Sequence, residues 1–165
     1  MLFDYRSLLL AIAFSGAAMS MTLMTAWFSA KKDTFLLTWA AGMMVMVFAV
    51  IGFKFYDDTR IIAIGATAFF LLPAGCALVW AAARQFRTGQ AEQRWLPVLC
   101  AALAAIVSLP FAQGFSGTGI IISNVAAGAL LVIVAREYWI IRHEAPALIG
   151  GLCTLYVASG ISFVL

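Results

Sequence analysis

Charge is scarce in this chain: ten Lys and Arg, seven Asp and Glu and a single His are spread over 165 residues. A soluble domain carries about a quarter charged residues, and a sequence that is 65% hydrophobic has too few polar groups to cover a water-facing surface. A soluble globular fold is thereby excluded. The net charge of +3 is no nucleic-acid footprint and acquires meaning only from where the cations fall. Cysteine is also sparse. Cys76, Cys100 and Cys153 are odd in number, far apart and set inside apolar runs, so they read as small buried hydrophobes and not as a disulfide framework or a zinc site. Catalytic groupings are missing as well. His143 lies between Arg142 and Glu144 with no partner in view, which is the setting of a solvated loop residue and not of a general base. The sequence contains no HExxH, no GxSxG, no Gly-rich phosphate loop and no paired intramembrane carboxylates, so this chain is not read as an enzyme, and no catalytic residue, metal ligand or cofactor is assigned to it.

What is present is length in apolar runs. A helix that crosses a bilayer needs about 20 apolar residues, and six runs meet or approach that length, at 7–28, 34–53, 61–83, 95–112, 119–141 and 147–165. Between them stand short segments rich in charge, Gly or Pro, such as "SAKKD", "YDDTR", "RQFRTGQAEQR" and "QGFSGTG", which a hydrocarbon interior rejects. The first run exceeds the 7 to 15 residues or so of a signal-peptide core and leads into more membrane sequence, so it reads as an uncleaved span. The expected fold is an all-α polytopic transmembrane bundle. Residues 1–165 form a single integral-membrane domain of six spans, arranged as three antiparallel hairpins.

Orientation follows from Lys and Arg in short loops, which are retained in the cytoplasm. The exit ends of spans one, three and five and the segments after them hold Lys31, Lys32, Arg84, Arg87, Arg94, Arg136 and Arg142, whereas the opposite side holds Arg6, Lys54 and Arg60. The expectation is a bacterial inner-membrane protein with its N-terminus outside and its odd-numbered spans leading into the cytoplasm. Trp27, Trp80, Trp95, Tyr138 and Trp139 fall where interfacial aromatic anchors belong on that cytoplasmic side.

Inside the spans little is polar. Lys54 stands one turn from "YDDTR" and reads as an interface anchor that snorkels or pairs with Asp57 or Asp58. Met19, Met21, Met24, Met43, Met44 and Met46 cluster on the first hairpin. Thioethers bind Cu(I), but no Cys or His joins the cluster in sequence, and the reading is flexible packing. Mildly polar residues remain, among them Thr38, Thr67, Ser108, Ser123 and Asn124. Asn124 is the strongest polar group well within a span and is expected to hydrogen-bond across helices. With Gln113 and the helix-kinking Pro73 and Pro110 it defines the candidate ligand or helix-coupling positions, and the place to look for any pocket is between spans three, four and five.

Three phrases carry a resemblance: "DYRSLLLAIAFSGAAMSMTLMTAWFSAKKDTFLLTWAAG" from Asp4, "LVWAAARQFRTG" from Leu78 and "SNVAAGALLVIVAREYW" from Ser123. The chain resembles the membrane-embedded N-terminal sensory regions of bacterial, especially proteobacterial, diguanylate cyclases. In those proteins several spans precede a cytoplasmic GGDEF domain that condenses two GTP into cyclic di-GMP. The catalytic motif of that family is absent from these residues. The resemblance therefore implies a sensory and anchoring module that signals to a cyclase domain outside this chain. Its partners would be the lipid bilayer, a second copy of the chain, and a small-molecule or membrane-state signal, with no nucleic acid. A seventh span beyond Leu165 is expected to return the chain to the cytoplasm. The alternative function is a small multi-span transporter or exporter, or a membrane assembly protein.

Overall fold

The computed structural model describes residues 5–29, 33–89, 95–143 and 145–163. Lys31, Lys32 and Arg94, three of the expected topology determinants, lie outside the described residues. Six α-helices and no strands are found among those described: α1 (Tyr5–Ser29), α2 (Thr34–Thr59), α3 (Ile62–Thr88), α4 (Leu96–Ala112), α5 (Ser116–Ile140) and α6 (Pro146–Ser162). The apolar residues run around each helix instead of forming one stripe, as befits a helix surrounded by protein and lipid.

The ends are set by local chemistry. Arg60 adopts a left-handed conformation with φ 56° and ends α2, its N–H bonding to the Tyr56 carbonyl. Gly89 ends α3 in the same way at φ 68°, with its N–H on the Gln85 carbonyl, where a residue without Cβ adopts this conformation at no steric cost. Pro97 and Pro146 stand in the first turns of α4 and α6, where a missing N–H removes no helical bond.

Two helices run five or six residues beyond the apolar spans read from the sequence. Span two was expected to end at 53, yet α2 continues through "KFYDDT", where Lys54 bonds to Asp58 at 2.9 Å and Asp57 to Arg60 at 2.8 Å. Span three was expected to end at 83, yet α3 continues to Thr88. The apolar run measures the thickness of hydrocarbon, whereas the helix goes on for as long as its backbone and paired charges allow.

Four helices, α1 from Leu10 onward together with α2, α3 and α5, are long and apolar enough to cross a membrane. Helices α4 and α6 have 17 residues each, about 26 Å at 1.5 Å per residue, against about 30 Å of hydrocarbon. Outward faces are apolar too: Phe14 is 74% exposed and Leu148 77%, which suits lipid and not water.

Helix α3 is the centre. It packs on α2, α4 and α5, while α1 packs on α2 and α6 on α5. The α2–α3 contact is backbone-close because small residues face each other. A Cβ on Gly42 would lie 2.9 Å from the Gly75 carbonyl oxygen, and one on Gly52 would lie 2.8 Å from the Ala68 Cβ. Such small-residue contacts are what lets helices associate where lipid and protein are equally apolar.

Candidate functional site

Pro73 lies buried inside α3. Having no N–H, it leaves the carbonyl of Phe69, four residues earlier, without its helical donor. The hydroxyl of Ser123 on α5 donates to that carbonyl, and Ser123 is completely buried. A carbonyl inside a bilayer has no water to turn to, so this bond couples α5 to the one place where α3 is incomplete. Around it the space is closed by rings. Phe69 stacks on Phe111 with centroids 5.5 Å apart, and Tyr56 meets them edge-on at 6.1 and 5.9 Å. A Cβ on Gly119 would sit 2.5 Å from the Phe111 ring. Packed aromatic rings thus fill the space beside this bond, between α3 and the ends of α2 and α4.

The other expected residues distribute around this point. Asn124 follows Ser123 and is half-buried; Pro110 is half-buried in α4; Gln113 is exposed at the α4 terminus. It is Ser123, and not Asn124, that makes the bond to Phe69 across helices.

A second cluster sits at the C-terminal ends of α3 and α5. Glu137 accepts a hydrogen bond from Arg87 Nε at 2.5 Å and another from Trp80 Nε1 at 3.4 Å, with its side chain only 12% exposed. Trp80 packs on Trp95 at the start of α4, with ring centroids 4.5 Å apart, and the Arg84 guanidinium lies 5.5 Å from the Trp95 ring. Arg142 covers Trp139 at 4.5 Å, and Arg136 is exposed. Three expected topology cations are thus held against aromatic rings or an acid, which fixes charge at one end of the bundle. Sequence reasoning passed over Glu137. The available signal was its position: an acid in the last turn of a helix opposes the negative end of the helix dipole and calls for a cationic partner.

Two grooves open elsewhere. One, of about 720 Å³, is lined by Phe35 and Trp39 of α2, Phe86 of α3, Tyr138 of α5 and Ile149 and Leu152 of α6, among others. The other, of about 490 Å³, lies between α1 and α2 and includes Met19, Met43 and Met46, with Leu72 and Phe163 also on its wall. The sequence reading had the methionines without a cysteine. In the fold, Cys76 of α3 comes to 3.8 Å from the Met46 sulfur, because the glycine contact sets α2 and α3 close together.

No family model, curated protein or solved structure matches the chain.

Proposed function

We propose that the chain is the membrane-embedded sensory and anchoring module of a signalling protein, similar to the sensory regions of diguanylate cyclases, and itself without enzymatic activity. It would pass a signal to a cytoplasmic domain that makes cyclic di-GMP and lies outside these residues. In this reading all six helices span the bacterial inner membrane as three antiparallel hairpins, the N-terminus is outside, and the module works as a homodimer.

The observation that carries the proposal is the pair of polar links between α3 and α5. Ser123 joins Phe69 within the bundle, and Glu137 joins Arg87 and Trp80 at the end rich in cations. A displacement of α5 against α3 must strain or break both links, so a change in packing at the Ser123 link is felt at the cation-rich end of the same two helices. A ligand or membrane state can drive that displacement only by favouring one arrangement over the other. Ion-coupled carriers place charge inside their spans. Among the described residues, Asp33 and the acidic and basic residues of 54–60, 84–87 and 136–142 lie toward helix ends.

The test is to read the coding sequence past the Leu165 codon and to measure cyclic di-GMP in cells expressing the complete gene, with Ser123→Ala and Glu137→Gln variants beside it. The expected result is a cyclase domain downstream and an altered response to stimulus in both variants. A gene without any cyclase, together with substrate-dependent flux in proteoliposomes, would put the transporter in its place.

A further inference from the structure

The geometry points to a binding site for a soft monovalent metal ion, Cu(I), built on Cys76 and Met46 and completed from the methionines of the adjoining groove. Cys76 has no solvent exposure. Its sulfur stands 3.8 Å from the Met46 sulfur, in the position of an S–H donor facing a thioether. That arrangement is held in place. A Cβ on Gly75 would lie 2.5 Å from Met46 Cγ, so only glycine lets the Met46 side chain lie against the α3 backbone, one residue before the thiol.

The separation suits a metal in place of the proton. With metal–sulfur bonds of about 2.3 Å, sulfurs 3.8 Å apart subtend an angle of about 110° at the metal, between trigonal and tetrahedral. Coordination of that kind needs a third donor. Met46 also lines the groove that contains Met43 and Met19; Met43 is half-buried and Met19 is 45% exposed, so Met46 belongs both to the thiol contact and to a groove that offers two further thioethers.

Ligand type and charge both select the ion. Thiolate and thioether are soft donors that favour Cu(I). On binding, the Cys76 S–H bond breaks and a sulfur–copper bond forms; the proton leaves to the aqueous phase and no electron is transferred. Thiolate and Cu(I) then cancel, leaving a neutral centre. A divalent ion on the same donors would keep a net positive charge in hydrocarbon, which is costly. Among the described residues no three His, Cys, Asp or Glu gather to hold a harder ion. This site is independent of the signalling reading, and either can fail without the other.

The test uses the full chain in lipid nanodiscs under anaerobic conditions, titrated with Cu(I) buffered by bicinchoninate. The native protein is expected to withdraw about one Cu(I) per chain and to gain the near-ultraviolet absorption of a thiolate–Cu(I) bond. A Cys100→Ser, Cys153→Ser double variant should do the same. Met46→Leu conserves volume and so keeps the fold, checked by circular dichroism, but should weaken binding by about tenfold or more; Cys76→Ser should abolish it. If Cys76→Ser does not fold, Met46→Leu and Met43→Leu decide the matter. Failure of the native chain to take Cu(I) from the chelator would overturn the site. So would unchanged affinity in both methionine variants, since the metal would then sit on an adventitious thiol.

Discussion

Ser123 and Pro73 are tied together by one carbonyl. Because Pro73 cannot donate to the Phe69 oxygen, the Ser123 hydroxyl is its donor, and Ser123→Ala is expected to cost about 0.5 to 2 kcal/mol of bundle stability. In a Pro73→Ala background the restored N–H at position 73 supplies the donor, so the same Ser123→Ala change should cost close to nothing. Reversible unfolding of the four proteins in mixed micelles measures the coupling, and an equal loss in both backgrounds would show that the hydroxyl acts by packing alone. Glu137 admits a similar dissection. Glu137→Gln keeps an oxygen for Trp80 Nε1 but loses the charge opposite Arg87, whereas Glu137→Leu loses both partners. The leucine variant is expected to be the less stable of the two, with a loss of about 1 to 3 kcal/mol against native. Thermal unfolding followed by tryptophan fluorescence ranks them, and a leucine variant as stable as the glutamine one would remove the Trp80 bond from the account.

At the scale of helices, glycines divide by what faces them. On Gly42 a new Cβ would meet the Gly75 carbonyl oxygen at 2.9 Å, and on Gly160 the Gly128 carbonyl oxygen at 2.9 Å. A backbone atom cannot swing aside, so the helices must part; Gly42→Ala and Gly160→Ala are expected to cost about 1 to 3 kcal/mol. Gly150 and Gly151 have nothing within 4 Å of such a Cβ, and alanine there should be neutral or stabilising by up to about 1 kcal/mol, since it favours the helix. Thermal aggregation midpoints of the four variants, compared in one detergent, test the division; equal effects at all four positions would contradict it. Helix existence was legible from the apolar runs because those runs must match the bilayer. The extensions of α2 and α3 were not, since paired charges such as Lys54 and Asp58 continue a helix beyond hydrocarbon. The meeting of Cys76 and Met46 was also hidden. It depends on how α2 slides against α3, and that register is set by the Gly42–Gly75 contact, which no single run discloses.

For the whole molecule, the two ends differ in chemistry. At one end Tyr56, Phe69 and Phe111 pack together beside Arg60, which lies 6.0 Å from the Tyr56 ring. At the other, Trp80, Trp95 and Glu137 gather Arg84 and Arg87, with Arg142 on Trp139 nearby on α5. Positively charged segments are retained in the cytoplasm during insertion, so the end bearing Arg84 and Arg87 should face inward. Thr88 and Thr59 are exposed and close α3 and α2 respectively, which makes them reporters of the two sides. In a background with Cys76, Cys100 and Cys153 replaced by alanine, Thr88→Cys is expected to resist an impermeant thiol reagent in intact spheroplasts and to label after lysis, while Thr59→Cys labels without lysis. The reverse pattern would invert the whole topology. It would also place the Glu137 cluster outside the cell, where it could not hand a signal to any domain that uses cytoplasmic GTP.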